Sequence, residues 1–91
     1  MKVYLKDPDA MLDYTMDWGG GYLQSGETIS SSIWTIIPGD MTQSAAGNTA
    51  SDCTVTVQGG ISGHIYQLTN RITTSQGRTD ERSISVRVEQ R

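Results

Sequence analysis

The chain has 91 residues, a mass of 9.9 kDa and a formal net charge of −3, and apolar residues make up 35% of it. A chain of this length predicts one domain with a thin core. The mild acidic balance argues against a nucleic-acid-binding protein, which usually carries a basic patch, and the absence of a long apolar run argues against a membrane span.

The first ten residues show no hydrophobic periodicity. Asp7-Pro8-Asp9 predicts a turn or an extended segment, because proline lacks a donor and restricts the residue before it. We therefore expect an extended N-terminal arm over residues 1–10 and a single domain over residues 11–91. The same segment lacks the apolar stretch and the cleavage site of a secretory signal, so we expect the protein to stay in the cytoplasm after synthesis.

Strict alternation of apolar and polar residues predicts a half-buried strand that begins near Met11 and ends at the glycines of residues 19–21. A second strand spans residues 27–37 and carries isoleucines on one face and Trp34 on the other. Because both faces cannot be core throughout, we expect a β-bulge, or a switch of the strand from one sheet to the other, near residues 31–32.

The second half of the chain contains the clearest strand patterns. Residues 40–52 are small and polar, and they predict a loose crossover with one short edge strand. Alternation then predicts a strand around Val55, a long strand over residues 65–74 and a last strand over residues 82–90. The last two strands form a hairpin with a polar tip.

Six to seven short strands with regular turn signals predict an all-β fold, an immunoglobulin-like β-sandwich. Gly59 and Gly60 would let the chain cross between sheets, and Tyr66 is placed to anchor that crossing by a hydroxyl-to-backbone hydrogen bond. Cys53 is the only cysteine, which excludes an internal disulfide. The strand phases predict a core that contains Tyr14, Trp34, Cys53, Val55, Tyr66, Leu68 and Val86.

A search for catalytic and ligand-binding motifs finds none with the required spacing. Residues 60–63 do not form a nucleophile elbow, and His64, the only histidine, lacks zinc-ligand partners. The aspartates between residues 7 and 17 do not follow the order of a calcium loop, and no phosphate-binding helix follows the glycine-rich segments. We therefore expect no catalytic residue, no metal and no cofactor in a protein that is not an enzyme.

The candidate binding residues are aromatic and basic. Trp18 and Tyr22 flank the triple glycine; they either close that turn as a structural clamp or form an exposed anchor for a partner. A carbohydrate-binding platform would look similar. With Arg78 and Arg82 from the hairpin tip, they are our four candidates for a partner interface.

The charge distribution is uneven along the chain. Residues 1–52 carry two lysines against seven acids, and residues 53–91 carry five arginines against three acids. This pattern is typical of an ordinary solvated surface of mixed charge, or of an acidic face that meets a basic face on a neighbouring molecule.

Several short segments, taken together, resemble a known family. They are Asp13–Trp18, Ser25–Ile29, Ser32–Trp34, Gly59–Tyr66, Thr69–Thr74 and Gly77-Arg78. From about Lys6 to Val88 the chain resembles small virion proteins of tailed bacteriophages and prophages, which are encoded among head-completion and tail genes and labelled fibre-tail adaptor proteins. Such proteins usually carry a second tryptophan and an aspartate after the first strand, where this chain has Tyr22 and Glu27.

The resemblance implies a non-enzymatic structural protein of the phage virion. It would be an Ig-like adaptor or connector of the head-tail or tail-fibre region, assembled in the cytoplasm of the bacterial host. The implied partners are other virion proteins and further copies of the chain, with neither nucleic acid nor membrane. The alternatives are an Ig-like decoration or adhesive module that binds host-surface glycans, with Trp18 and Tyr22 exposed and coplanar, and a small hydrolase with perturbed acids in a cleft.

Overall fold

A computed structural model describes residues 3–90, which form seven β-strands and no helix. The strands are β1 (Val3–Lys6), β2 (Met11–Asp17), β3 (Ile29–Ile37), β4 (Met41–Asn48), β5 (Asp52–Gly59), β6 (Ile65–Thr74) and β7 (Thr79–Val88). They form a four-stranded sheet, β1-β7-β6-β3, and a three-stranded sheet, β2-β5-β4. The predicted all-β class is confirmed.

Part of the expected N-terminal arm belongs to a sheet. β1 pairs in parallel with β7, whereas all other neighbouring strands are antiparallel. The side chain of Lys6 is buried, and its Nζ donates to the carbonyl oxygens of Asp7 and Gly59 at 2.9 and 2.8 Å. Residues 3–6 are therefore an edge strand held by a backbone ladder and a buried lysine. Residues 1–2 of the expected arm, and Arg91, lie outside the described residues.

The two strands with the most ambiguous patterns are β3 and β4. The β-bulge expected in β3 is present as a register shift between Ile29 and Ser31, and it allows Ile29 and Trp34 both to be buried. β4 differs from the expectation of a short strand in a loose crossover, because it has eight residues and seven of them pair with β5, with a register shift between Gln43 and Ala45. Its small side chains do not prevent a backbone ladder from forming.

The crossing between the two sheets follows β5. Gly59 and Gly60 have φ angles of 83° and 95°, in the left-handed region that favours glycine. The hydroxyl oxygen of Tyr66 accepts a hydrogen bond from the main-chain N–H of Ile61 at 2.8 Å. The hydrogen bond predicted for Tyr66 is therefore present, and it fixes the loop that leads into β6.

The core lies between the two sheets. Every side chain expected there from the strand phases is at most 8% exposed. Full burial of an aliphatic or aromatic side chain stabilises the fold by about 1.5–3 kcal/mol. The other buried apolar residues are Met16, Trp18, Ile29, Met41, Val57, Ile72 and Val88.

Candidate functional site

The structure brings the four candidate interface residues into one cluster at the end of the sandwich where β6 turns into β7. The rings of Trp18 and Tyr22 meet edge to face, with centroids 5.2 Å apart. The guanidinium carbon of Arg78 lies 4.4 Å from the centre of the Tyr22 ring, and that of Arg82 lies 4.4 Å from the centre of the Trp18 ring. We call these four residues the aromatic-arginine cluster; its arginines form cation-π contacts.

The local turns explain why these residues meet. β2 ends at Asp17, and the main-chain N–H groups of Tyr22 and Leu23 both donate to the carbonyl oxygen of Trp18 at 3.1 Å, which closes a glycine-rich turn. In the hairpin tip, the N–H of Gly77 donates to the carbonyl oxygen of Thr74 at 3.0 Å. The guanidinium of Arg78 donates to the carbonyl oxygen of Tyr22, so the two turns lie against each other.

Trp18 is fully buried, so it offers no surface to a partner. Its indole Nε1 donates to the Oδ1 of Asn70 at 2.7 Å, and the Nδ2 of Asn70 donates to the Oγ of Ser32 at 2.9 Å. Trp18 thus closes the turn and completes the core, in place of the exposed anchor considered from the sequence. Tyr22 is half-buried beside it.

Glu27 neutralises Arg78. Its carboxylate has no exposed surface and accepts two hydrogen bonds from the guanidinium, from Nε at 2.9 Å and from Nη2. The hydroxyl of Thr74 donates to it at 2.6 Å, and the N–H of Gln24 donates at 3.0 Å. The bonds from Arg78, then from Gln24 and Thr74, lower the pKa of Glu27 to about 2.

The guanidinium groups of Arg78 and Arg82 both form hydrogen bonds within the chain. The guanidinium of Arg78 also donates to the carbonyl oxygen of Tyr22 at 3.2 Å, and that of Arg82 donates to the carbonyl oxygen of Asp17 at 3.3 Å. Arg78 keeps 37% of its side chain exposed, and Arg82 is exposed as well. The cluster holds the turn and the hairpin together and presents only the outer parts of its arginines to solvent.

A second candidate surface lies on the outer face of the four-stranded sheet. Leu5 and Ile65 flank Arg87 in one cross-strand row, and Val3 and Ile37 lie at the two ends of the adjacent row. The four aliphatic side chains are 46–59% exposed. We call Val3, Leu5, Ile37 and Ile65 the apolar patch. The sequence analysis did not predict the apolar patch, although aliphatic residues at outward-facing strand positions could have indicated it.

Residues 3–90 form no pocket or cleft of the kind that a hydrolase was expected to have. Within this range no group of three histidine, cysteine or acidic side chains is placed to hold a metal ion. The range also lacks a helix long and apolar enough to span a membrane.

Comparison with known proteins identifies the family. Residues 6–87 match the family model described as Podophage GP4 fiber-tail adaptor protein gp77. No curated protein matches the chain in sequence. The matched range runs from the end of β1 almost to the end of β7, and it confirms the resemblance to phage fibre-tail adaptors. An adaptor of this kind is a structural component of the phage tail and contacts other tail proteins. The chain therefore belongs to the Podophage GP4 fiber-tail adaptor protein gp77 family.

Proposed function

We propose that the protein is a non-enzymatic adaptor that docks onto another phage tail protein through the apolar patch. The four exposed aliphatic side chains lie around Arg87, Ser85 and Gln67 on one sheet face, and covering apolar surface stabilises a complex by about 25 cal/mol for each Å² removed from water. The observation that carries the proposal is the position of Val3, Leu5, Ile37 and Ile65 in two adjacent rows on one face.

The face is large enough for a specific interface. The fold measures 43 × 23 × 18 Å, and its four-stranded sheet is the larger of the two. A standard interface buries about 800 Å² on each partner. Between Leu5 and Ile65, the guanidinium of Arg87 pairs with the carboxylate of Glu89 at 2.7 Å, so the charge of Arg87 is balanced within the chain. An apolar partner surface with a polar rim would complement this face.

Several finer features belong to the same proposal. The sandwich is of the immunoglobulin-like type, which the two facing sheets and the hydrogen bond of Tyr66 support. The protein assembles in the host cytoplasm and is present in several copies in the virion. No nucleic acid or membrane takes part. The glycan-binding alternative gains no support from Trp18 and Tyr22, because one ring is buried and their planes are inclined at 73°.

Substitution in the phage tests the proposal. Ile65→Lys replaces an apolar member of the patch with a charge, and we expect purified particles to lose the tail component that docks there, with at least a tenfold loss of infectivity. Met11→Lys is the matched control, since Met11 is 59% exposed on the outer side of the other sheet. Tails of normal composition and infectivity from the double variant Leu5→Lys/Ile65→Lys would refute docking through the patch.

A further inference from the structure

We propose that two copies of the chain join through the open edges of β3 and β4, side by side about a two-fold axis. We call these two edges the β3/β4 side. The dimer describes how the several copies of the chain associate. Only its location in the phage tail rests on the proposed function. The dimer itself forms without any other tail protein.

The first step is that neither edge has a neighbouring strand among the described residues, although the first residue of β3, Ile29, donates its main-chain N–H to the carbonyl oxygen of Ala50 at 2.9 Å. Within residues 3–90, β3 pairs only with β6 and β4 only with β5. The two strands belong to opposite sheets and lie against each other on the same side of the sandwich. A strand with one free row of N–H and C=O groups is a template for a further strand.

The second step is that both strands of this side lack charged residues and proline, two of the features by which proteins block their sheet edges. β3 and β4 contain neither a charged residue nor a proline over their combined lengths of nine and eight residues. On the opposite side of the sandwich, β2 carries Asp13 and Asp17, and β1 has only four residues. Proteins block their sheet edges with charge, proline, short length and β-bulges, and of these the β3/β4 side has one bulge in each strand.

The third step is that part of β4 lacks a facing layer. Gln43, Ala46 and Asn48 lie opposite buried residues of β5, so their side chains project to the inner side of the sheet. All three are nevertheless exposed. The four-stranded sheet therefore ends short of them. A strand added beside β3 would extend that sheet beneath β4 and cover them.

The occupant is a second copy because the β3/β4 side complements itself. Two uncharged sides meet without repulsion, and a two-fold axis pairs β3 with its own copy in antiparallel orientation. A head-to-tail contact would instead place the β3/β4 side of one copy against β1 and β2 of the next copy, and β2 is acidic. It would also pair β3 in parallel with β1, and a parallel ladder is less stable than an antiparallel one. Ile33 lies at the middle of β3 with 61% of its surface exposed, so the axis brings two Ile33 side chains together.

Sedimentation of the purified full chain, with circular dichroism to verify folding, tests the dimer. We expect the wild type to have about twice the chain mass of 9.9 kDa. Ile33→Lys and Ile33→Glu should each be monomeric, because like charges meet at the axis, and an equimolar mixture of the two should form dimers again. Ile65→Lys is the matched control on the same sheet face, and it should remain dimeric.

The other outcomes overturn the proposal. They are a wild-type monomer, a dimer that both Ile33 variants retain, a mixture of folded Ile33 variants that stays monomeric, and species that grow beyond the dimer with concentration, as a head-to-tail contact would produce. Failure of the docking proposal gives a different result: the wild type is dimeric, and phage that carry the charged patch variants assemble normally.

Discussion

Glu27 and Arg78 connect the turn after β2 to the hairpin tip. A carboxylate without exposed surface needs its charge compensated by hydrogen bonds and a counter-charge, and here a guanidinium, a hydroxyl and a main-chain N–H supply them. The planar fork of arginine matches a carboxylate with two bonds at once, which lysine cannot do. Each member of the pair therefore depends on the other to keep the turn in place.

Acidification should weaken the fold through Glu27. Its pKa is about 2 in the folded chain, below the ordinary value of 4.5, so the unfolded chain binds the proton first. The contribution of the pair is complete above about pH 4.5 and is lost as the pH falls toward 2. Urea unfolding at a series of acidic pH values should show that wild type loses more free energy of unfolding than Glu27→Gln. Parallel losses in both proteins would contradict this role.

Asn70 should be important for stability although it is polar. Asn70→Ala removes the acceptor of the buried Trp18 indole N–H, and an unsatisfied buried donor costs about 1–3 kcal/mol. Trp18→Phe removes the donor itself, so the double variant should be less destabilised than the sum of the two single variants. Denaturant titration of all four proteins measures this coupling, and strict additivity would contradict the contact.

The residue types of the cluster could be predicted from the sequence, but their partners could not. Tryptophan, tyrosine and arginine beside turns indicated a contact surface, and these residues do meet. Glu27 lies 51 residues before Arg78, and Trp18 lies 52 residues before Asn70. No local pattern signals such pairs, because only the packing of the sheets brings them together.

At the scale of elements, the crossing from β5 to β6 depends on close approach as well as on backbone conformation. Gly60 lies beneath Val88, the last residue of β7, and a Cβ atom added to it would be 2.8 Å from the Cγ2 of Val88. A Cβ atom added to Gly59 would meet no atom within 4 Å. Glycine is therefore required at position 59 by the positive φ angle alone, and at position 60 by the positive φ angle and by the lack of space for a Cβ atom.

Alanine substitution should separate the cost of backbone strain from the cost of steric overlap. Both glycines have positive φ, so Gly59→Ala and Gly60→Ala should each lose about 1–2 kcal/mol through backbone strain. Gly60→Ala should lose more, because its new methyl group also overlaps Val88. The urea midpoints of the two variants measure the difference. Equal midpoints would show that the contact with Val88 relaxes without cost.

The strands with alternating patterns could be predicted, and those without could not. β2 and β5 carry apolar residues at every second position, and β6 does so except at Asn70 and Thr74; this phase sets the core. β4 is small and polar on both faces, so its length was underestimated. β1 is short and is fixed by pairing with β7 at the other end of the chain, which local reasoning cannot detect.

At the scale of the whole molecule, an adaptor must present separate surfaces to different neighbours. The apolar patch lies on a sheet face, whereas the β3/β4 side lies along two strand edges. Ile37 is at the margin where the two meet, and Ile65 and Ile33 each belong to one surface alone. A dimer formed through the edges would keep both patches open, so that one dimer contacts two tail proteins.

The most direct test of the adaptor role is a cryo-electron microscopy map of the intact phage tail. We predict that the seven-stranded sandwich is found in the tail and that Val3, Leu5, Ile37 and Ile65 are buried against a different tail protein. A map in which this face of the sandwich contacts only solvent, or purified particles that lack the protein, would contradict the account.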